Sequence, residues 1–184
     1  MSHNLYEDVK ETPIYTKEEI QAVVSRMGAE ISRDYADKNP VMISVLRGAF
    51  VFMADLVRAI TVPCEIDFMS VSSYGNDVKT SGVVRIIKDL DQDLHGKDLL
   101  IVEDILDSGM TLSYITGMLR QRGPASIRLC TLLDKPERRK ADITADYYGF
   151  VVPDEFVVGY GLDYDEKYRT LPFLGVLKQE IYSE

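Results

Sequence analysis

The chain is short of the residue types on which several protein classes depend. Among its 184 residues are two cysteines, Cys64 and Cys130, which form no C-x-x-C pair; a reduced, cytoplasmic setting is the simplest expectation. The two histidines, His3 and His95, are too few and too dispersed for a zinc site. No stretch approaches the roughly 20 apolar residues of a membrane-spanning helix. The first twenty residues, MSHNLYEDVKETPIYTKEEI, lack both the basic start and the apolar run of a secretory signal. Positive charge is also scarce, with 21 Lys and Arg against 30 Asp and Glu. The net charge of −9 opposes binding to nucleic-acid phosphates. Gly159-Tyr160-Gly161 lacks the third glycine of a dinucleotide fingerprint, and no G-x-x-x-x-G-K-[ST] loop occurs. Asp89, Asp91 and Asp93 have calcium-loop spacing, but Leu94 stands where the loop needs glycine and Leu100 where it needs its final acid.

What remains is an ordinary globular composition, 46% hydrophobic and 28% charged, of a length that suits one domain over residues 1–184. Thr16 and Glu19 form a capping box ahead of Ile20, Val23, Val24, Met27 and Ile31, which predicts a helix over about 17–37. VMISVL then reads as a buried strand ending at Leu46, Arg47 and Gly48, with a helix after it. CEIDFMSVSS, VVRIIKDL, DLLIVEDI and SIRLCTLLD read as further strands, with a helix from Thr111 to near Gly123. Residues 74–82, YGNDVKTSG, offer no apolar face and are expected to form a mobile loop. Strands alternating with helices predict an α/β fold whose central, mainly parallel twisted sheet is flanked by helices. The core is expected over about 16–140. Residues 141–184, with the N-terminal segment, are expected to form a small β-rich flap over the carboxyl edge of the sheet.

The chemistry concentrates in LLIVEDILDSGMTL. Four apolar residues deliver Glu103 and Asp104 to the carboxyl end of a buried strand, where ligands sit in open α/β sheets, and Asp107 opens the loop into a helix. The turn Ser108-Gly109-Met110-Thr111 offers backbone N–H groups at a helix N-terminus, which suits an anion such as phosphate. Acids accept from hydroxyls and can hold Mg²⁺. A ribose 5-phosphate satisfies both ends. The bland alternative is a set of acids that merely favours the start of a surface helix.

Val102 to Thr111 resembles the phosphoribosyl-pyrophosphate signature of the type I phosphoribosyltransferases. LRGAF at 46–50, SSYGND at 72–77, LLDKP at 132–136 and PDEFVVGYGLDYDEKYR at 153–169 resemble, in order, segments of the hypoxanthine-guanine phosphoribosyltransferase family. The resemblance implies a magnesium-dependent enzyme that joins a 6-oxopurine to phosphoribosyl pyrophosphate, working as a homodimer or homotetramer with no nucleic-acid or membrane partner. It implies that Glu103 and Asp104 hold the ribose hydroxyls directly or through Mg²⁺, that Asp107 accepts the purine N7 proton, and that Asp107 to Thr111 cradle the 5-phosphate. Leu46, Arg47 and Gly48 would form the pyrophosphate loop, where family members often carry a non-proline cis peptide. Lys135 would donate to the purine 6-oxo group, Phe156 would stack on the base, and Val157 would bind its edge through the backbone. Asp163 would bind a second Mg²⁺, Arg169 would contact pyrophosphate, and Ser73 and Tyr74 would belong to a closing lid. Two alternatives stay open: a regulator that keeps this fold to sense nucleotide, and the same reaction with xanthine.

Overall fold

In a computed structural model, residues 4–73 and 84–183 are described; the 74–82 loop, with Tyr74, lies outside them. Strands β1 (Val41–Leu46), β2 (Glu65–Ser73), β3 (Val84–Lys88), β4 (Asp98–Leu106), β5 (Ser126–Asp134) and β6 (Tyr147–Val151) form a twisted sheet in the order β3-β2-β1-β4-β5-β6. All neighbours pair parallel except β2 with β3. Helices α1 (Lys17–Asp34) and α2 (Phe50–Ala59) cover one face, and α3 (Met110–Arg120) covers the other.

The alternation of a strand explains both layers. Met42, Leu100, Val102, Cys130 and Leu132 point toward α1 and α2 and pack with Ile20, Val24, Met27 and Phe52. Val41, Ile43, Val45, Leu99 and Ile101 point the other way, onto Leu112, Ile115 and Leu119 of α3. With both faces covered, β1 and β4 must be apolar almost throughout, which is why VMISVL and LLIV show no polar alternation. The capping box forms as expected: the Glu19 N–H donates to Thr16 Oγ1 (3.3 Å), and the Thr16 N–H donates to Glu19 Oε2 (2.7 Å). Helix α1 stops at Asp34, short of the expected 37, because Tyr35 leaves helical geometry and its ring is buried in the core.

Tyr147–Val151 is not flap but a sheet strand, paired parallel with β5 from Cys130 to Asp134, so the sheet runs past residue 140. Its sequence lacks the helical crossover that would have marked it. The flap is instead built from β7 (Val157–Val158) and β8 (Gly175–Val176), bridged to the N-terminal segment through Val9 with Leu177 and Tyr15 with Leu174. Val9, Val158, Leu171 and Leu177 form its own small core. A final short helix, α4 (Gln179–Tyr182), follows. Among the described residues, no helix is long and apolar enough to cross a membrane.

The connection through α2 steps from β1 to β2, whereas the one through α3 steps from β4 to β5 in the opposite direction. Neighbouring strands β1 and β4 therefore part at their carboxyl ends, and such a switch point opens a crevice. The segments released there are Leu46-Arg47-Gly48, Asp107 to Gly109 and, from β5, Lys135.

Candidate active site

Two clefts meet at this edge. A sugar-sized one of about 250 Å³ is walled by the turn after β1 and by the β4–α3 loop, bringing together Leu46, Arg47, Gly48, Glu103, Asp104, Asp107, Ser108, Gly109 and Thr111. The second, about 340 Å³, lies under the flap; Lys135, Phe156, Val157 and Asp163 line it. Asp104, Ile105 and Asp107 belong to both, so the clefts are continuous through the acids.

The turn after β1 carries a cis peptide between Leu46 and Arg47. Gly48 sits against the acids so closely that a Cβ there would lie 1.8 Å from Asp104 Oδ2. Only glycine admits that approach. Across the cleft, Gly109 has φ +77°, the left-handed conformation that starts α3 without a side-chain cap. The Met110 N–H leans on Ser108 Oγ at 3.4 Å, a weak contact. The opening turn of α3 thus presents N–H groups and the positive end of the helix dipole to the cleft. Met110 itself is half-exposed and does not line it.

Glu103 and Asp104 are adjacent, partly buried acids that line the cleft. Burial, followed by the Asp104 charge, pushes the Glu103 carboxyl well above its usual range. Asp104 is raised as well, chiefly by burial, while hydrogen bonding with Glu103 and backbone N–H groups and the Arg169 charge pull the other way. A ligand bringing hydroxyl donors or a cation would relieve both. Among the described residues, no cluster of three or more His, Cys, Asp or Glu is gathered to hold a metal ion. Asp163, expected at a second Mg²⁺ apart from the Glu103–Asp104 pair, has its Oδ1 paired with Arg169 Nη2 at 2.9 Å. Magnesium commonly takes one or two carboxylates, keeps several waters and completes its shell from substrate phosphates, and the Glu103–Asp104 pair suits that mode.

Asp107 stands where the clefts join. Its Oδ1 is buried, accepts no hydrogen bond among the described residues and lies 3.5 Å from Arg138 Nε. Lys135 is 5% exposed, and its Nζ donates to the Glu155 carbonyl at 2.8 Å. Phe156 meets Tyr164 edge-on at 5.3 Å and stacks with Tyr182 at 5.2 Å. Val157 is held in β7 opposite Val176. Arg169 lies outside both clefts, its Nη1 donating to the Gly161 carbonyl (2.8 Å). Glu166 Oε2 bridges Arg169 Nη2 (3.2 Å) and Arg47 Nη1 (2.8 Å), so one carboxylate gathers the two arginines. Ser73 ends β2, paired opposite Val84.

The sequence reading missed Arg138, Asp154, Glu166 and Tyr182. Arg138 and Asp154 lie close in sequence to Lys135 and Phe156 and were open to inference as cleft neighbours. Tyr182 carried no such signal, because only the path of the C-terminal segment brings it to Phe156.

Comparison with known proteins matches this geometry to a family. A family model described as "Phosphoribosyl transferase domain" matches residues 12–165. The hypoxanthine-guanine phosphoribosyltransferase of Bacillus subtilis (strain 168) is 56% identical over 172 residues, covering 94% of this chain and 96% of that protein. The bifunctional protein TilS/HprT of Listeria monocytogenes is 49% identical over 183 residues, a match that spans all of this chain but 28% of that larger protein. A crystal structure of a hypoxanthine phosphoribosyltransferase from Staphylococcus aureus superposes with a TM-score of 0.95 at 48% identity, covering 100% of both chains.

Proposed function

The chain belongs to the phosphoribosyltransferase family, and from that premise we propose that it is a purine-salvage enzyme. It transfers the 5-phosphoribosyl group of phosphoribosyl pyrophosphate to hypoxanthine, guanine or both, giving IMP or GMP and pyrophosphate. The observation that carries this reading is the continuity of the two clefts through Asp104 and Asp107. One holds a sugar phosphate, the other a planar base, and the anomeric carbon and the attacking nitrogen meet between them.

The 5-phosphate sits on the N–H groups that open α3, and the ribose hydroxyls donate to Glu103 and Asp104. Substitution at the anomeric carbon builds positive charge on the ribose as pyrophosphate leaves, so positioning and electrostatics supply most of the catalysis. Held ionised by the bound ligand, the two acids stabilise that charge. Arg47 and Arg169, already gathered by Glu166, exchange that carboxylate for the departing pyrophosphate. Mg²⁺, when bound, neutralises part of the charge on the pyrophosphate. On the other side Phe156 and Leu162 flank the base, Lys135 donates to its 6-oxo group, and Asp107 takes the N7 proton. Adenine is rejected because its 6-amino group is itself a donor facing a lysine.

Asp107→Asn tests the assignment: turnover should fall by roughly 10²- to 10⁴-fold, the usual size of a general-base contribution. Unchanged turnover would remove Asp107 from the reaction. Pyrophosphate release compared across hypoxanthine, guanine, xanthine, adenine and uracil identifies the base. The reading also includes a cytoplasmic location and a homodimer or homotetramer, the latter checked by the molar mass in solution from light scattering.

A further inference from the structure

The Asp107 carboxylate raises a problem of aim. A proton acceptor must face the reacting atom, yet Oδ1 of Asp107 accepts no hydrogen bond among the described residues, so nothing of that kind holds the carboxylate in one orientation. A charge stands beside it: Arg138 Nε lies 3.5 Å from Oδ1. The same guanidinium reaches the flap, with Nη1 at 3.6 Å from Asp154 Oδ1, and Asp154 in turn faces Lys135 Nζ at 3.7 Å. Lys135, Asp154, Arg138 and Asp107 thus form a row of alternating sign along one wall of the base cleft.

The ground beneath Arg138 is firm. It closes a single 3₁₀ turn, Pro136–Arg138, and the next residue fastens that turn to the strand end carrying Asp107. Arg139 Nε donates to the Asp107 carbonyl (2.9 Å) and Nη2 to the Leu106 carbonyl (3.1 Å), while its guanidinium also pairs with Asp134. The backbone carrying Arg138 is thereby tied to the strand end that carries Asp107, which keeps the guanidinium within reach of the carboxylate.

Resting on the role of Asp107 given above, we propose that Arg138 is a positioning residue for the Asp107 carboxylate, steadied at its far end by Asp154. Its pairs are half-exposed, and such pairs add little to stability. Their effect falls on orientation, where a small misplacement of a reacting group lowers rate steeply.

The test is a double-mutant cycle of Arg138→Ala with Asp107→Asn, reading kcat and both KM values in the full chain with magnesium. Arg138→Ala should lower kcat about tenfold, a drop worth about 1.4 kcal/mol, and leave KM for phosphoribosyl pyrophosphate within about twofold. Arg138→Lys, which keeps the charge, should restore most of the loss. In the Asp107→Asn background, Arg138→Ala should cost nothing further, because its route to the reaction is gone. A tenfold loss in both backgrounds would overturn the proposal, since Arg138 would then act independently of Asp107. Wild-type kcat in Arg138→Ala, with Asp107→Asn strongly impaired, would overturn this inference alone. Wild-type kcat in Asp107→Asn would overturn the reading of Asp107 itself.

Discussion

Replacing Gly48 with alanine should disable the enzyme without unfolding it. Gly48 does not adopt a positive φ, so the backbone accepts alanine. The obstacle is Asp104: an added Cβ would lie 1.8 Å from Oδ2 and 2.8 Å from Cγ. Carbon and oxygen in ordinary contact stand about 3.5 Å apart, so carboxylate and loop must separate by roughly 1.5 Å. Rotation of Asp104 offers a poor escape, because its Oδ1 already accepts from the Ile105 N–H at 2.7 Å. Either the acid leaves the ribose position or the loop carrying Arg47 withdraws from the pyrophosphate. A displacement of about 1 Å at a reacting centre costs on the order of 10²-fold in rate. We therefore expect kcat/KM for phosphoribosyl pyrophosphate to fall about 10²-fold, equivalent to about 2.7 kcal/mol of transition-state stabilisation. The assay follows nucleotide formation with saturating hypoxanthine and varied phosphoribosyl pyrophosphate, and thermal unfolding serves as the check on folding. Gly117→Ala is the control, since a Cβ there meets nothing within 4 Å and lies within α3. Wild-type kcat/KM in folded Gly48→Ala would refute the steric argument.

Two further outcomes follow from the same site. The folded-state pKa of Glu103 lies above its unfolded value, so the folded chain binds that proton more tightly and stability is lost as pH rises from the ordinary carboxylate range through the raised value. Glu103→Gln should therefore melt higher than the parent at about pH 8, with the gap closing toward about pH 4 while turnover drops; a gap independent of pH in thermal unfolding would contradict this. Lys135→Ala should raise KM for hypoxanthine and guanine by about 10- to 100-fold, the worth of a charged hydrogen bond, and leave KM for phosphoribosyl pyrophosphate nearly unchanged. Equal rises for both substrates would separate Lys135 from base recognition.

Much of the site was legible because its parts are contiguous. Glu103 and Asp104 follow four apolar residues and fall in the last part of β4, and Asp107 comes directly after it, where the strand reaches the open edge. The turn that opens α3 was visible in Gly109, whose φ of +77° only glycine adopts freely. The β1 turn was marked by Gly48 after a buried run. Less legible was β6: Tyr147–Val151 reads locally as a strand, and nothing local assigns it to the main sheet instead of the flap. Its pairing with β5 depends on which edge is free once β4 and β5 have joined.

The linear order of residues determined the alternation of strands and helices, the covered faces of the sheet and the meeting of acids with the opening turn of a helix. These depend on spacing within a few residues, where backbone geometry dictates direction. The folded chain alone decided the long-range partnerships. Glu166 joins Arg47 to Arg169, Arg138 faces Asp107, Tyr182 stacks on Phe156, and Gly48 makes room for Asp104. Such contacts are set by how separate elements pack, and no local pattern carries that information.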